Sequence, residues 1–397
     1  VTGTSRSDPH PRKQGDDIHD DIIYPSAIPF VLVHLVAVAA LATGVTVEAL
    51  VICAILYATR MFAVTAGYHR YFAHRSFKTS RLGQYALAWL AQSSAQRGIL
   101  WWAAKHRHHH KYSDTRVDVH SPRHHGFWYA HLGWIFTTHQ SGTDYKAVPD
   151  LAKYPELVRL NKHPYLPATV LGVACWLIAG WPGLVVGFFW STVLLYHGTF
   201  FINSLAHLHG TQRYVTGDDS RNNWWLALVT LGEGWHNNHH AYMASTRQGF
   251  RWWEVDITYY VLKTLSWARV VRDLNEPPKE LVRNERKLAR GVVERVARQL
   301  AASLSVDRIS TRVRDALEHT PRWDEMRQRA RIARSDAMTM LAEMHLPHIP
   351  TIDELRVQAA RMFAATPSLE EVVTRARELL IEAIAMELGL VASPDTA

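Results

Sequence analysis

Residues 45–74 read VTVEALVICAILYATRMFAVTAGYHRYFAH. The stretch is apolar from Val45 to Tyr68, with Glu48 near its start and Arg60 inside, and it ends on His69 and His74. At 1.5 Å per residue, a helix of about 24 residues reaches about 36 Å, enough to cross a hydrocarbon core of about 30 Å. A span that runs out of the membrane onto imidazoles predicts an all-α integral membrane protein with metal-ligating side chains at the lipid boundary.

Working outward, a second apolar run, Ala27–Thr43, precedes this one across Gly44 and is interrupted by Pro29 and His34. A further pair, Pro167–Ala179 and Leu184–His207, flanks the turn sequence Gly180-Trp181-Pro182-Gly183. The expectation is four transmembrane helices in two hairpins, with a cytosolic histidine-rich cap and a C-terminal helical extension. Both turns are nearly free of charge. Arg12, Lys13, the segment from His69 to Lys162 and the chain after His207 are rich in Lys and Arg, so the positive-inside rule places the cap and both termini on the cytoplasmic side. Between the hairpins, Leu82–Trp102 and Gly126–Phe136 read as amphipathic, interfacial pieces. A fifth span through Leu82–Trp102 is opposed by Gln84, Gln92, Gln96 and Arg97. No basic-then-apolar-then-small pattern of a cleaved signal opens the sequence.

Composition divides the 397 residues in the same way. Residues 276–397 carry 19 Lys and Arg against 19 Asp and Glu, so the whole net charge of +8 resides in the first 275. We read 1–25 as a polar tail, 26–275 as the membrane domain and 276–397 as a cytosolic helical extension of unknown role. Capping boxes at Thr351–Glu354 and Ser368–Glu371 start helices in that extension, Pro321, Pro347 and Pro350 punctuate it, and Gly389 ends the last one. Two cysteines, Cys53 and Cys175, exclude a disulfide framework, a zinc ribbon and a cysteine-ligated iron–sulfur cluster.

Of 24 histidines, 21 precede residue 276. They cluster as His69 and His74, as His106, His109 and His110, as His207, and as His236, His239 and His240. Spacings of three and four place the members of each triplet on one helical face. A five-residue gap turns about 500° in an α-helix, so His69 and His74 converge only if their helix ends or bends between them. Nine imidazoles exceed one coordination sphere and suit two metals with four or five nitrogens each. Nitrogen ligation fits iron, copper or zinc and not magnesium or calcium. Asn203 lies one turn before His207, while Glu233 and Asp114 stand near the clusters as groups to orient imidazoles. His108, His120, His124, His125, His131, His139, His197 and His209 read as polar or interfacial.

These segments, Gly67-Tyr-His69-Arg-Tyr-Phe-Ala-His74, His106-Arg-His-His109-His110, Asn203-Ser-Leu-Ala-His207 and Gly-Trp-His236-Asn-Asn-His239-His240, resemble in order and spacing those of membrane fatty-acyl desaturases of the stearoyl-CoA and acyl-lipid type. The resemblance covers about residues 25–275. It implies that the nine histidines hold two iron ions and that Asn203 acts through a water. It also implies that dioxygen is co-substrate and that a cis double bond enters a saturated acyl chain between carbons 9 and 10. A bent apolar tunnel is expected with Gln96, Trp102 and Thr199 at its bend and Tyr57 near its closed end. Met61, one turn further on, replaces a smaller side chain of the animal enzymes and would shorten the tunnel.

Two departures concern the headgroup. Ala104 and Thr137-Thr138 stand where animal acyl-CoA enzymes carry basic groups, so the acyl carrier is CoA or a lipid. With no haem, flavin or iron–sulfur signature in the sequence, electrons are expected from an external ferredoxin or b-type cytochrome with its reductase. The expected partners are thus an acyl substrate, a redox protein and membrane lipid, and no nucleic acid. Two alternatives share the metal signal: a di-iron membrane hydroxylase, and a zinc-loaded hydrolase or scaffold. The extension is open among donor docking, pairing of protomers and solubilising the chain.

Overall fold

A computed structural model describes residues 24–137, 140–317 and 349–390, with side chains from Ile28 onward. Arg12, Lys13, Thr138, His139, Pro321 and Pro347 lie outside the described residues. Within them the chain is mostly helical, and its sheet is a two-residue antiparallel pair, Lys78–Thr79 with Val271–Arg272.

Helix α1 spans Tyr24–Val38 and is followed by a turn of helix at Ala40–Thr43. Its apolar stretch covers Ile28–Thr43 among the described residues. Gly44 then turns the chain with φ +77°, in the left-handed region that favours glycine. Helix α2 runs over Val47–Phe62, started by Thr46, whose hydroxyl accepts from Ala49 N–H at 3.2 Å. It continues without a break as a π-helix over Ala63–Ala73, and the whole run Val47–Ala73 is long and apolar enough to cross a membrane.

That change of winding resolves the His69–His74 spacing. His74 N–H bonds back five residues to His69 C=O at 3.2 Å. At about 4.4 residues per π-turn, five residues rotate about 410°, so the two imidazoles return to nearly the same side. The helix widens where an end or a bend was expected, then stops at Arg75, which has φ +54°.

Leu82–Trp102 is not one helix. Helix α3 covers Arg81–Gln92 and α4 covers Ile99–Tyr112, with Ser93–Gly98 between them. The glutamines that argued against a span have structural work here. Gln92 Oε1 accepts from Ile99 N–H at 2.9 Å, and Asn161 Oδ1 accepts from Leu100 and Trp101 N–H at 3.0 and 3.1 Å. These bonds satisfy free donors at the start of α4 and aim its far end, which bears His106, His109 and His110. Helix α5 follows at Pro122–His131.

The second long apolar run, Leu166–His207, is interrupted at Ala179 and Gly180, which leave helical geometry. Trp181 and Pro182 already belong to the next helical segment, so the turn is tighter than the four residues expected. The label α6 covers Leu166–Pro182 across that kink; a π-helix, Gly183–Trp190, continues the second arm into α7 (Ser191–Ser204). Glycines let these helices meet: a Cβ on Gly183 would lie 2.4 Å from Cys175 C=O, and one on Gly187 would lie 2.7 Å from Ile52 Cγ2. Arg60, fully buried, places its N–H groups on neutral oxygens, among them Thr192 Oγ1 at 2.8 Å and Ser93 C=O at 3.3 Å.

After a short helix α8 (His236–Ala241) and α9 (Ile257–Trp267), the extension folds as α10 (Arg290–Ala302), α11 (Val306–Leu317), α12 (Ile352–Met362) and α13 (Leu369–Glu387). Val296, Leu300, Leu355, Val372 and Ala376 form its small core, and Val215 of the membrane domain packs onto it. Thr351 and Glu354 form the expected capping box, and Gly389 (φ +68°) follows the last helix. Ser368 departs from expectation. It makes no capping bond; its buried hydroxyl accepts from Leu288 N–H at 3.0 Å, tying α13 to the strand of chain before α10.

Candidate metal centre

Four chain segments deliver the nine imidazoles. The π-helix brings His69 and His74, α4 brings His106, His109 and His110, the 3₁₀ turn Leu205–His207 after α7 brings His207, and α8 brings His236, His239 and His240. They gather in two groups: His69, His74, His106, His110 and His239 in one, and His109, His207, His236 and His240 in the other. In the first group Nε2 atoms lie 3.0 Å apart for His69 and His239, 2.9 Å for His74 and His106, 3.0 Å for His106 and His110, and 2.9 Å for His110 and His239. In the second, His207 and His236 are 3.0 Å apart and His236 and His240 3.1 Å.

The outward nitrogens are held by carboxylates. His109 donates Nδ1–H to Asp118 Oδ1 at 2.9 Å, His207 to Asp114 Oδ2 at 2.8 Å and His240 to Asp218 Oδ2 at 2.9 Å. His69 Nδ1 meets Glu233 Oε2. Glu233 in turn accepts from the buried Arg70 at 3.1 Å, and Arg70 also donates to Asp256 at 2.9 Å. The Gln248 amide lies 3.3 Å from His69 Nδ1. A neutral imidazole has one proton, so placing it on Nδ1 leaves Nε2 as a bare lone pair. Two such lone pairs at about 3 Å repel unless a cation lies between them. The edge of an octahedral sphere with metal–nitrogen bonds of about 2.1 Å is about 3.0 Å, the spacing seen here. His109 Nε2 is buried with no partner of its own.

Electrostatics point the same way. Burial would raise the carboxyls of Asp114, Asp118 and Asp218, but their histidine partners overcome it and hold all three well below the usual carboxylate range. Burial and neighbouring imidazoles push His106, His110, His236 and His239 well below the usual histidine value, which keeps them neutral and able to ligate. With Arg70 balanced by Asp256, the carboxylates of Asp114, Asp118, Asp218 and Glu233 face the buried site; His207, which burial would lower but Asp114 raises to about 9, offsets one of them, and bound cations would take over that role.

Asp114 and Glu233 occupy the orienting positions expected of them. Asp118 and Asp218 were missed, although Asp118 follows Asp114 by one helical-turn spacing just beyond the second histidine cluster. His120 is fully buried, with its ring centroid 4.2 Å from that of His109. His34, His197 and His131 form a chain, with ring nitrogens 3.1 and 3.0 Å apart, that ends on Ser204 Oγ at 3.0 Å. The first departs from the polar, interfacial reading of His120, and the chain from that of His131 and His197.

An apolar cavity of about 240 Å³ approaches the centre, lined by Phe30, Gln96, Trp102, Thr199, Phe200 and Asn203 among others. A smaller one of about 40 Å³ lies against the imidazoles and shares Trp102, Thr199 and Asn203 with it. Gln96 donates to Thr199 Oγ1 at 2.9 Å across the passage. Tyr57 and Met61 line neither cavity. They meet at Gly198, where a Cβ would lie 3.0 Å from Met61 Cε and 3.3 Å from the Tyr57 hydroxyl, which donates to Val229 C=O at 2.7 Å. Ala104 is buried, and Thr137 is buried on Trp134 C=O at 3.0 Å, so neither offers a charge to a headgroup.

The helical chain thus joins two helices long and apolar enough to cross a membrane to a histidine cage fit for metal at the end of an apolar passage. The Fatty acid desaturase family profile matches residues 46–269, and the chain belongs to that family. It is 36% identical over 265 residues to the sn-1 stearoyl-lipid 9-desaturase of Synechocystis, covering 64% of this chain and 81% of the relative. It is 38% identical to the acyl-CoA C20 Delta5-desaturase of Anemone leveillei, covering 57% and 73%, and 37% identical to the sn-2 palmitoyl-lipid 9-desaturase of Nostoc, covering 54% and 77%. The chain is therefore an oxidoreductase of the desaturase type.

Proposed function

We propose that this enzyme is a di-iron acyl desaturase that places a cis double bond between carbons 9 and 10 of a saturated chain, using dioxygen and two external electrons. The observation that carries the reading is the pair of imidazole groups with Nε2 spacings of 2.9–3.1 Å and a carboxylate behind four of the rings. His69, His74, His106, His110 and His239 would hold one iron, and His109, His207, His236 and His240 the other, with Asn203 beside the second and acting through a water. The irons supply the oxidising power that an unactivated methylene requires.

The chain's own residues do the rest. Asp114, Asp118, Asp218 and Glu233 fix the imidazole tautomers. Trp102, Gln96 and Thr199 line the acyl passage and set which methylene faces the centre; Tyr57 and Met61, packed at Gly198 outside the two cavities, would bound a longer chain. Four membrane spans in two hairpins, with the cap and both termini cytoplasmic, fit the apolar helices and the distribution of Lys and Arg. The 9-position is supported by the relatives from Synechocystis and Nostoc, and the carrier by both lipid-linked and CoA-linked relatives. The test is lipid analysis after expression in a desaturase-deficient host. Intact protein should yield a chain two mass units lighter with its double bond at carbon 9, and His109→Ala should yield none. Addition of sixteen mass units, or product from His109→Ala, would refute the proposal.

A further inference from the structure

A cleft of about 740 Å³ opens over the cytosolic side of the histidine cage. His74, His110 and His240 line it, the first two half-buried and His240 with its ring buried, whereas His69, His109, His207 and His239 are buried and do not reach it. Lys111, from the end of α4, stands on one side. Arg286 and Arg295 stand on the other, and both belong to the extension.

The extension is fixed against the centre. Arg295 donates to Thr216 C=O at 3.3 Å and Gln299 to Gly217 C=O at 3.2 Å, on the loop whose Asp218 holds His240. Tyr214 donates to Val282 C=O at 3.3 Å. Other cations of the cleft are neutralised, Arg107 by Asp150 at 2.7 Å and Lys287 by Glu371 at 2.9 Å. Lys111, Arg286 and Arg295 are exposed and, among the described residues, have no carboxylate partner. Unpaired cations on both rims of a cleft lined by three of the cage's imidazoles suit a negatively charged protein surface. They steer its approach and orient it over the cage.

Resting on the desaturase reading, we infer that this cleft docks an acidic one-electron redox protein and that the extension builds half of the docking surface. The balance requires such a partner. One saturated chain, one dioxygen, two electrons and two protons give the unsaturated chain and two waters. The redox protein is oxidised by one electron in each of two visits, and the substrate's two hydrogens complete the reduction of dioxygen.

The test titrates the full-length, iron-loaded protein in nanodiscs with an acidic plant-type [2Fe–2S] ferredoxin. Binding should be measurable at low ionic strength and weaken steeply with salt. Lys111→Glu, Arg286→Glu and Arg295→Glu should each raise Kd about tenfold, and the corresponding Gln variants less, because the contribution is electrostatic. Iron content should stay at the wild-type value in each variant, and Arg159→Glu, outside the cleft, should leave Kd unchanged. Salt-insensitive or absent binding by the wild type would overturn the inference, as would cleft reversals no more damaging than Arg159→Glu. A single turnover of dithionite-reduced wild-type protein, read as a product two mass units lighter, tests the desaturase reading separately. Failure there removes that reading, whereas turnover with unaltered ferredoxin binding in the reversals removes only the docking surface.

Discussion

An imidazole carries two nitrogens and one proton, so whatever binds Nδ1–H decides whether Nε2 is free to ligate. Asp118 does this for His109, Asp114 for His207 and Asp218 for His240. Replacing Asp118 by Ala should therefore weaken iron retention about 10- to 100-fold, measured by competition with a chelator, while Asp118→Asn, which can still accept from Nδ1–H, should cost less. Equal retention in wild type and Asp118→Ala would remove the orienting role. The imidazoles themselves were legible, because triplets at spacings of three and four are visible in a linear sequence. Asp218 was not, since it reaches His240 from a loop 22 residues earlier and nothing in the local pattern marks it.

Elements hold these residues in register, and here the winding of a helix matters as much as its position. A reading at 3.6 residues per turn separates His69 from His74. The π-helical hydrogen bond from His74 to His69 brings them together, and side-chain spacing alone does not announce that wider turn. The long apolar runs were legible from length and composition. Their interruptions were less so: the turn at Ala179–Gly180 is set by two backbone angles, and the break after α3 by side chains of Gln92 and Asn161 that bond across the fold. Close packing at Gly187 predicts that Gly187→Leu, which overfills the contact with Ile52, destabilises by about 1–3 kcal/mol, visible as a lower Tm in detergent. An unchanged Tm would show that the contact can relax. Outside the two cavities, next to the passage residue Thr199, Met61→Ala should open space beside Gly198 and shift the preferred substrate to longer chains. The check is the chain-length profile of products, and an unaltered profile would place the end of the tunnel elsewhere.

Across the whole molecule, the separate parts meet in one charge count. Once Arg70 and Asp256 cancel, four buried carboxylates remain against the raised His207, an excess of negative charge that bound cations would offset. Stripping metal with a chelator should lower Tm and Fe²⁺ should restore it, because ligand binding to the folded state stabilises that state. No thermal shift on either step would mean that the carboxylates are balanced some other way. The region that matches the family, residues 46–269, was legible from its histidines and apolar runs. The contact of the extension with the loop carrying Asp218 depends on packing between parts 79 and 82 residues apart, as in the bonds of Arg295 and Gln299, and sequence pattern does not reveal it. Metal analysis combined with anomalous scattering at the iron edge tests the central claim most directly. The account predicts two irons per chain, one within the group of five imidazoles and one within the group of four. A solitary ion, zinc in place of iron, or density away from these rings would contradict it.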